Sequence, residues 1–148
     1  MTIPYERVRP NTQAMQELQK TLNSFGCQAF GTMTDNDRQV VMVMFRWRDR
    51  QVQLEASWAG YAQALVAKSG WRKEAALEHA KKAVHSILRD WVKGQTTAVE
   101  CGVLSFETAF LPHMLLQDGR RVIDAAMAAG ILPAREENPN VVALPKRS

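Results

Sequence analysis

Lys82, His85, Arg89 and Lys93 follow one another at spacings of three, four and four residues, with Lys81 beside them. On a helix such spacing gathers side chains on one face, and a row of ammonium and guanidinium groups neutralises phosphates. Arg46, Arg48 and Arg50 form a second set, because alternate residues of an extended chain point the same way. Trp47 and Trp58 lie close to them in the sequence, and an indole is a platform on which a base can stack. Arg46, Arg48, Arg50, Lys81, Lys82, Arg89 and Lys93 are therefore the candidate nucleic-acid contacts. A solvated helix face and a soluble hairpin tip would account for the same residues without any ligand.

Other chemistries find no support in the residue pattern. Gly26 and Gly31 are isolated, so no phosphate-cradling glycine loop is present and no nucleotide cofactor is expected. His79 and His85 are six residues apart, about 240° net around a helix, so they diverge rather than share a metal. A metal-dependent nuclease would need paired acids followed by a lysine. Asp37 and Glu55 are the available acids, but Ala56 and Ser57 follow Glu55. Ser57, Ser86 and Ser105 lack the strand–turn–helix setting of a hydrolase nucleophile, and Cys101 has no nearby histidine-and-acid set. No residue is assigned as catalytic or as a metal ligand.

The chain has 148 residues, 46% of them hydrophobic and 23% charged, and this composition suits one globular domain. Its formal net charge of +4 permits an acidic partner without requiring one. The excess is concentrated. The stretch from Arg38 to Arg50 holds four arginines against Asp49, and the stretch from Arg72 to Lys93 holds six Lys/Arg against Glu74, Glu78 and Asp90. Two cysteines, Cys27 and Cys101, are too few for a disulfide framework and suit a reducing, cytoplasmic setting. The N-terminus carries no apolar run of the signal-peptide kind, and Val40 to Phe45 is far too short to span a membrane.

The elements that must position the cations can be read from periodicity. Residues 1–10 form an extended arm, limited by Pro4 and Pro10, and Asn11 or Thr12 caps a first helix. Met15, Leu18, Leu22 and Phe25 share one face of that helix, and Gly26 ends it. Three strands follow. Cys27 to Met33 is interrupted by Gly31, Val40 to Trp47 is largely apolar on both faces, and Gln51 to Trp58 alternates with one wet face. The second half is helical: Gly60 to Lys68, Arg72 to Lys93 with Gly94 as its stop, Ser105 to Phe110, and Arg120 to Ala129 with an Arg120–Asp124 pair. Leu77, Val84, Leu88 and Trp91 mark the core face of the long helix. Thr97 and Glu100 have capping-box spacing. The expected fold is α+β: an N-terminal helix, a three-stranded antiparallel meander, then a mostly helical C-terminal half. Residues 1–133 form a single domain, and the proline-rich residues 134–148 form a mobile tail.

Several stretches carry a resemblance. Tyr5-Glu6-Arg7-Val8-Arg9-Pro10, Phe25-Gly26-Cys27, Ile87 through Gln95, and Gly102 through Pro112 resemble a family of small uncharacterised proteins of tailed bacteriophages and prophages. The resemblance implies a phage origin and hence the host cytoplasm, and it carries no site residues. More distantly, residues 40–93 look like the hairpin and long helix of single-strand-annealing recombinases. Two functions follow as expectations. The first is a non-catalytic phage accessory protein that binds nucleic acid through its cationic surface. The alternative is an inhibitor or adaptor that binds a host protein, docked by an apolar segment such as Val141-Val142-Ala143-Leu144.

Overall fold

Val40–Trp47 is dense in β-branched and aromatic residues, and in the computed structural model it is the central strand of an antiparallel sheet. The structure describes residues 2–9 and 13–134. Three strands, β1 (Ala29–Asp35), β2 (Val40–Trp47) and β3 (Arg50–Ser57), lie in the order β1-β2-β3. Thr32 pairs with Val43 on one side of the centre, and Val43 pairs with Leu54 on the other. Because successive side chains point to opposite faces, Val41, Val43, Phe45, Val52 and Leu54 line one face and are buried. That face joins Leu18, Leu22, Leu65, Val84, Leu88, Val92 and Phe110 in one core. All of these partners come from helices or the segments around them, so a helical layer covers one side of the sheet.

The helices are α1 (Ala14–Phe25), α2 (Trp58–Ser69), α3 (Lys73–Glu100), α4 (Phe106–Phe110) and α5 (Val122–Ala129), with a 3-10 turn at Leu111–His113. Ser57 caps α2 by accepting from the Gly60 N–H at 3.2 Å, and Ser105 caps α4 by accepting from the Thr108 N–H at 3.1 Å. Helix α3 is flanked by α1 and α2. Val84 and Leu88 are buried in its core face, with Leu77 and Trp91 half-buried beside them. The architecture is α+β: an N-terminal helix, a three-stranded antiparallel sheet, then helices.

Several local expectations give way to tertiary packing. Gly94 does not stop α3, which runs 28 residues to Glu100. Val92 and Thr96 are buried on either side of Gly94 and hold the helix through it. The helix ends instead at Cys101 and Gly102, the latter with φ of 73°. Thr97 and Glu100 lie inside α3 and form no capping box. Gly31 does not interrupt β1, where it pairs in register with Met44. Helix α5 starts at Val122, and the pairing around it differs: Arg120 binds Asp118 at 2.9 Å, while Arg121 binds Asp124 at 2.9 Å. The outer face of β2 is covered only at one end, where Val40 and Met42 are buried; Met44 is half-buried and Arg46 exposed. Asn11 and Thr12 lie outside the described residues, as do residues 135–148 with Val141-Val142-Ala143-Leu144.

Two further features frame the site. The N-terminal arm turns at residues 4–7 and packs on α2 and α3: Tyr61 donates to the Pro4 carbonyl at 2.6 Å, and Tyr5 donates to Asp90. At the far side of the sheet, Met114 bridges Val52, and the Leu115 N–H donates to the Gln51 carbonyl at 2.8 Å. The outer edge of β3 is thereby covered at its Gln51–Val52 end.

Candidate nucleic-acid interface

The seven cations singled out by the sequence do not form one surface. Arg46 stands on the outer face of the sheet, opposite the helical layer. Arg48, at the β2–β3 turn with φ of 54°, lays its guanidinium 4.2 Å from the Trp47 ring centroid. Arg50 faces Glu107 at 3.5 Å. Lys81 sits at the other end of β3, 5.2 Å from the ring of Trp58. That is a strand's length, roughly 23 Å, from Arg50. The sheet and this distance separate the hairpin arginines from the helix lysines.

The helix stripe is itself divided. Arg89 is paired with Asp90 at 3.0 Å and Glu17 at 3.4 Å, and its side chain is only 22% exposed. The hydrogen bond to Asp90 raises the Arg89 pKa above its ordinary value. The same bond, with a second from Tyr5, holds the Asp90 carboxyl below the usual carboxylate value. His85 is half-buried, and desolvation, aided by the Lys81 charge, lowers its pKa, which weakens it as a cationic contact. Lys82 and Lys93 remain exposed. Lys93 opens onto a groove of about 610 Å³ between α1 and α3, where Lys20, Arg89 and Lys93 face Glu17, Asp90 and Glu100. Charge is balanced there, which gives a phosphate no net attraction.

The two tryptophans are also engaged. Trp47 stacks on Phe106 at 4.3 Å and carries Arg48, while Trp58 is buried. Neither offers a free face for a base.

A different group of cations flanks one turn. Lys68 lies in the last turn of α2 and Arg72 occupies the N-cap position of α3, with Lys73 following as the first residue of α3; Gly70, with φ of 71°, makes the elbow between the two helices. Lys68, Arg72 and Lys73 are exposed, and none makes an ion pair among the described residues. Arg72 makes no side-chain cap bond, so the positive end of the α3 dipole meets two cations, offset only by Glu74. Basic residues are disfavoured at that end, and an anion bound there would relieve the repulsion. Lys73, Leu77 and Lys81 continue as an i, i+4, i+8 row along the α2 side of α3. Lys73 and Leu77 line a groove of about 500 Å³ with Gln39, Gln63 and Val66, and no carboxylate lines it. Of the seven predicted contacts, Lys81 alone extends this elbow. The sequence signal was the cluster around Ser69-Gly70, which periodicity divides between two helices.

Other reactive groups are held in structural contacts. Burial pushes the Cys27 thiol up to about 11. His79 packs on Trp71 with centroids 5.0 Å apart, and His113 meets Trp91 edge-on at 5.4 Å. Glu55 is bound by Arg38 at 3.3 Å and Arg121 at 3.4 Å. Among the described residues no group of three His, Cys, Asp or Glu side chains is placed to hold a metal ion, and no helix is long and apolar enough to cross a membrane.

Comparison of the chain with protein-family models, with curated proteins and with solved structures finds no match in any of the three. The likeness to tailed-phage proteins therefore rests on the sequence stretches alone.

Proposed function

We propose that the chain is a non-catalytic accessory protein that binds nucleic acid, with phosphate contacts centred on Lys68, Arg72 and Lys73 at the α2–α3 elbow and continued by Lys81. One observation supports this reading: three exposed cations without carboxylate partners among the described residues flank the Gly70 turn, beside a 28-residue helix whose start has no side-chain cap. Such a site reads charge and backbone geometry rather than base sequence. In the phage setting that the sequence resemblance implies, this is binding in the host cytoplasm. Replacing Lys68, Arg72 and Lys73 together by Glu should weaken binding to a fluorescent oligonucleotide at least tenfold for every sequence tried. Replacing Arg46 and Arg48 by Glu should weaken it less than threefold, because those residues stand on another surface. The opposite ranking would move the site to the hairpin.

A second reading is favoured by α5. The helix Val122–Ala129 is almost wholly apolar yet buries no residue fully, and Ile131, 70% exposed, continues its apolar surface with Leu132. Exposed apolar surface of this kind marks protein-binding sites, which fits the alternative of an inhibitor or adaptor for a host protein. A chain with Met127 and Ile131 replaced by Glu should keep its oligonucleotide affinity and lose any such partner in a pull-down.

A further inference from the structure

We propose that two copies of this chain pair through the outer edge of β1, antiparallel and centred on Thr32, to form one continuous six-stranded sheet. The two edges of the sheet are treated differently. Met114 and Leu115 cover β3 at its Gln51–Val52 end, whereas among the described residues no backbone hydrogen bond reaches the outer edge of β1 at any position. Edge strands are normally protected by prolines, lysines, bulges or covering segments. Strand β1 (Ala29-Phe30-Gly31-Thr32-Met33-Thr34-Asp35) has no proline and no cation, and its seven residues pair with β2 without a bulge. Its Thr32, Met33 and Thr34 are exposed.

The side chains on the outer face select a second copy as the occupant. In the register centred on Thr32, Met33 of one copy lies opposite Gly31 of the other, and Asp35 lies opposite Ala29. Met33 is 49% exposed, a large apolar side chain on a strand edge. Gly31 has no Cβ, and the Cε of Met44, 3.8 Å from where one would stand, is the nearest neighbour there. A shallow groove of about 210 Å³ opens beside it between Gly31 and Gln53, so a methionine arriving from the partner has a seat against Met44. Arg46 is the β2 neighbour of Ala29 and has no ion pair among the described residues. The short Ala29 side chain leaves Arg46 open to Asp35 of the second copy, two strand spacings or roughly 9.6 Å away, within the combined reach of the two side chains. Two-fold symmetry makes the methionine contact and the ion pair twice. The hairpin arginine that the elbow leaves aside thus acquires a partner.

Cysteine trapping in the full-length chain tests the register. In a Cys101→Ser background, Thr32→Cys places two thiols directly opposite each other. Opposed residues in antiparallel pairs have Cα atoms roughly 4.5–5.5 Å apart, within the range that a disulfide spans. Thr34→Cys places them four residues out of register, roughly 13 Å apart. Under mild oxidation the Thr32→Cys chain should form covalent dimer at least tenfold faster than the Thr34→Cys chain at the same concentration. In sedimentation runs the unmodified 16.7 kDa chain should shift toward twice its mass as concentration rises. The Thr32→Lys chain should stay monomeric with an unchanged circular dichroism spectrum. Equal cross-linking at both positions would overturn the proposal, as would a chain that stays monomeric at every concentration. A monomeric Thr32→Cys chain whose introduced thiol resists a small thiol reagent would place another segment of the same chain on β1, and would overturn it equally.

Discussion

Gly94→Ala distinguishes the local signal from the structure by the sign of its effect. As a helix terminator, Gly94 would sit in the left-handed region, where a Cβ costs about 1–2 kcal/mol. In the structure it lies inside α3, its φ is not positive, and beyond the local helix backbone no atom stands within 4 Å of where its Cβ would be. Alanine there therefore meets no steric cost and removes backbone freedom from the unfolded chain, a gain of about 0.8–1 kcal/mol. In a domain of this size that raises the thermal midpoint by roughly 2–4 °C. Gly70→Ala is the matched contrast, because Gly70 does hold φ of 71° at the end of α2. It should lower the midpoint. Thermal and urea unfolding followed by circular dichroism measure both. A lower midpoint for Gly94→Ala would break α3 at that residue and refute the continuous helix.

Three more outcomes follow from packing and charge. Phe110 is fully buried and meets Phe45 and Trp91 edge-on, with centroids 5.5 and 5.8 Å away, so Phe110→Ala should cost about 3–5 kcal/mol in urea unfolding. Its exposed neighbour Leu111 should cost less than about 0.5 kcal/mol when changed to Ala, and equal losses would contradict the packing. Burial, with Arg121 nearby, lowers the His113 pKa in the folded chain. The unfolded chain then binds more protons as pH falls through the ordinary histidine range, so the stability this histidine contributes is complete above pH ~6.5 and declines below it. His113→Gln should flatten part of the fall in urea midpoint between roughly pH 7 and pH 5, and His85, lowered by desolvation, acts in the same direction; an unchanged slope would leave His113 equally protonated in both states.

The sheet was legible because β3 alternates strictly and β2 is apolar at every position but Arg46, signals that tertiary packing reinforced. Gly94 misled because terminator propensity is local, at about 1 kcal/mol, and the burial of Val92 and Thr96 outweighs it. The cationic stripe was legible as a pattern but not as a site. Arg89 is neutralised by Glu17, 72 residues away, and Asp90 is held by Tyr5, 85 residues away. No periodicity reports pairings of that range. The elbow cations were hidden for the converse reason: Lys68 belongs to one helix and Arg72 and Lys73 to the next, and only the turn at Gly70 brings them together.

The salt dependence of oligonucleotide binding tests the central claim most directly. Each phosphate neutralised releases counterions, giving a slope of about −0.9 per contact on duplex DNA. With Lys68, Arg72, Lys73 and Lys81 engaged, log K against log salt should fall with a slope of roughly −3 to −4, and the Lys68/Arg72/Lys73→Glu chain should lose most of that slope while keeping its fold. A folded chain that shows no binding at ~50 mM salt, where phosphate contacts are strong, would contradict the account and leave the apolar surface of α5 as the working site.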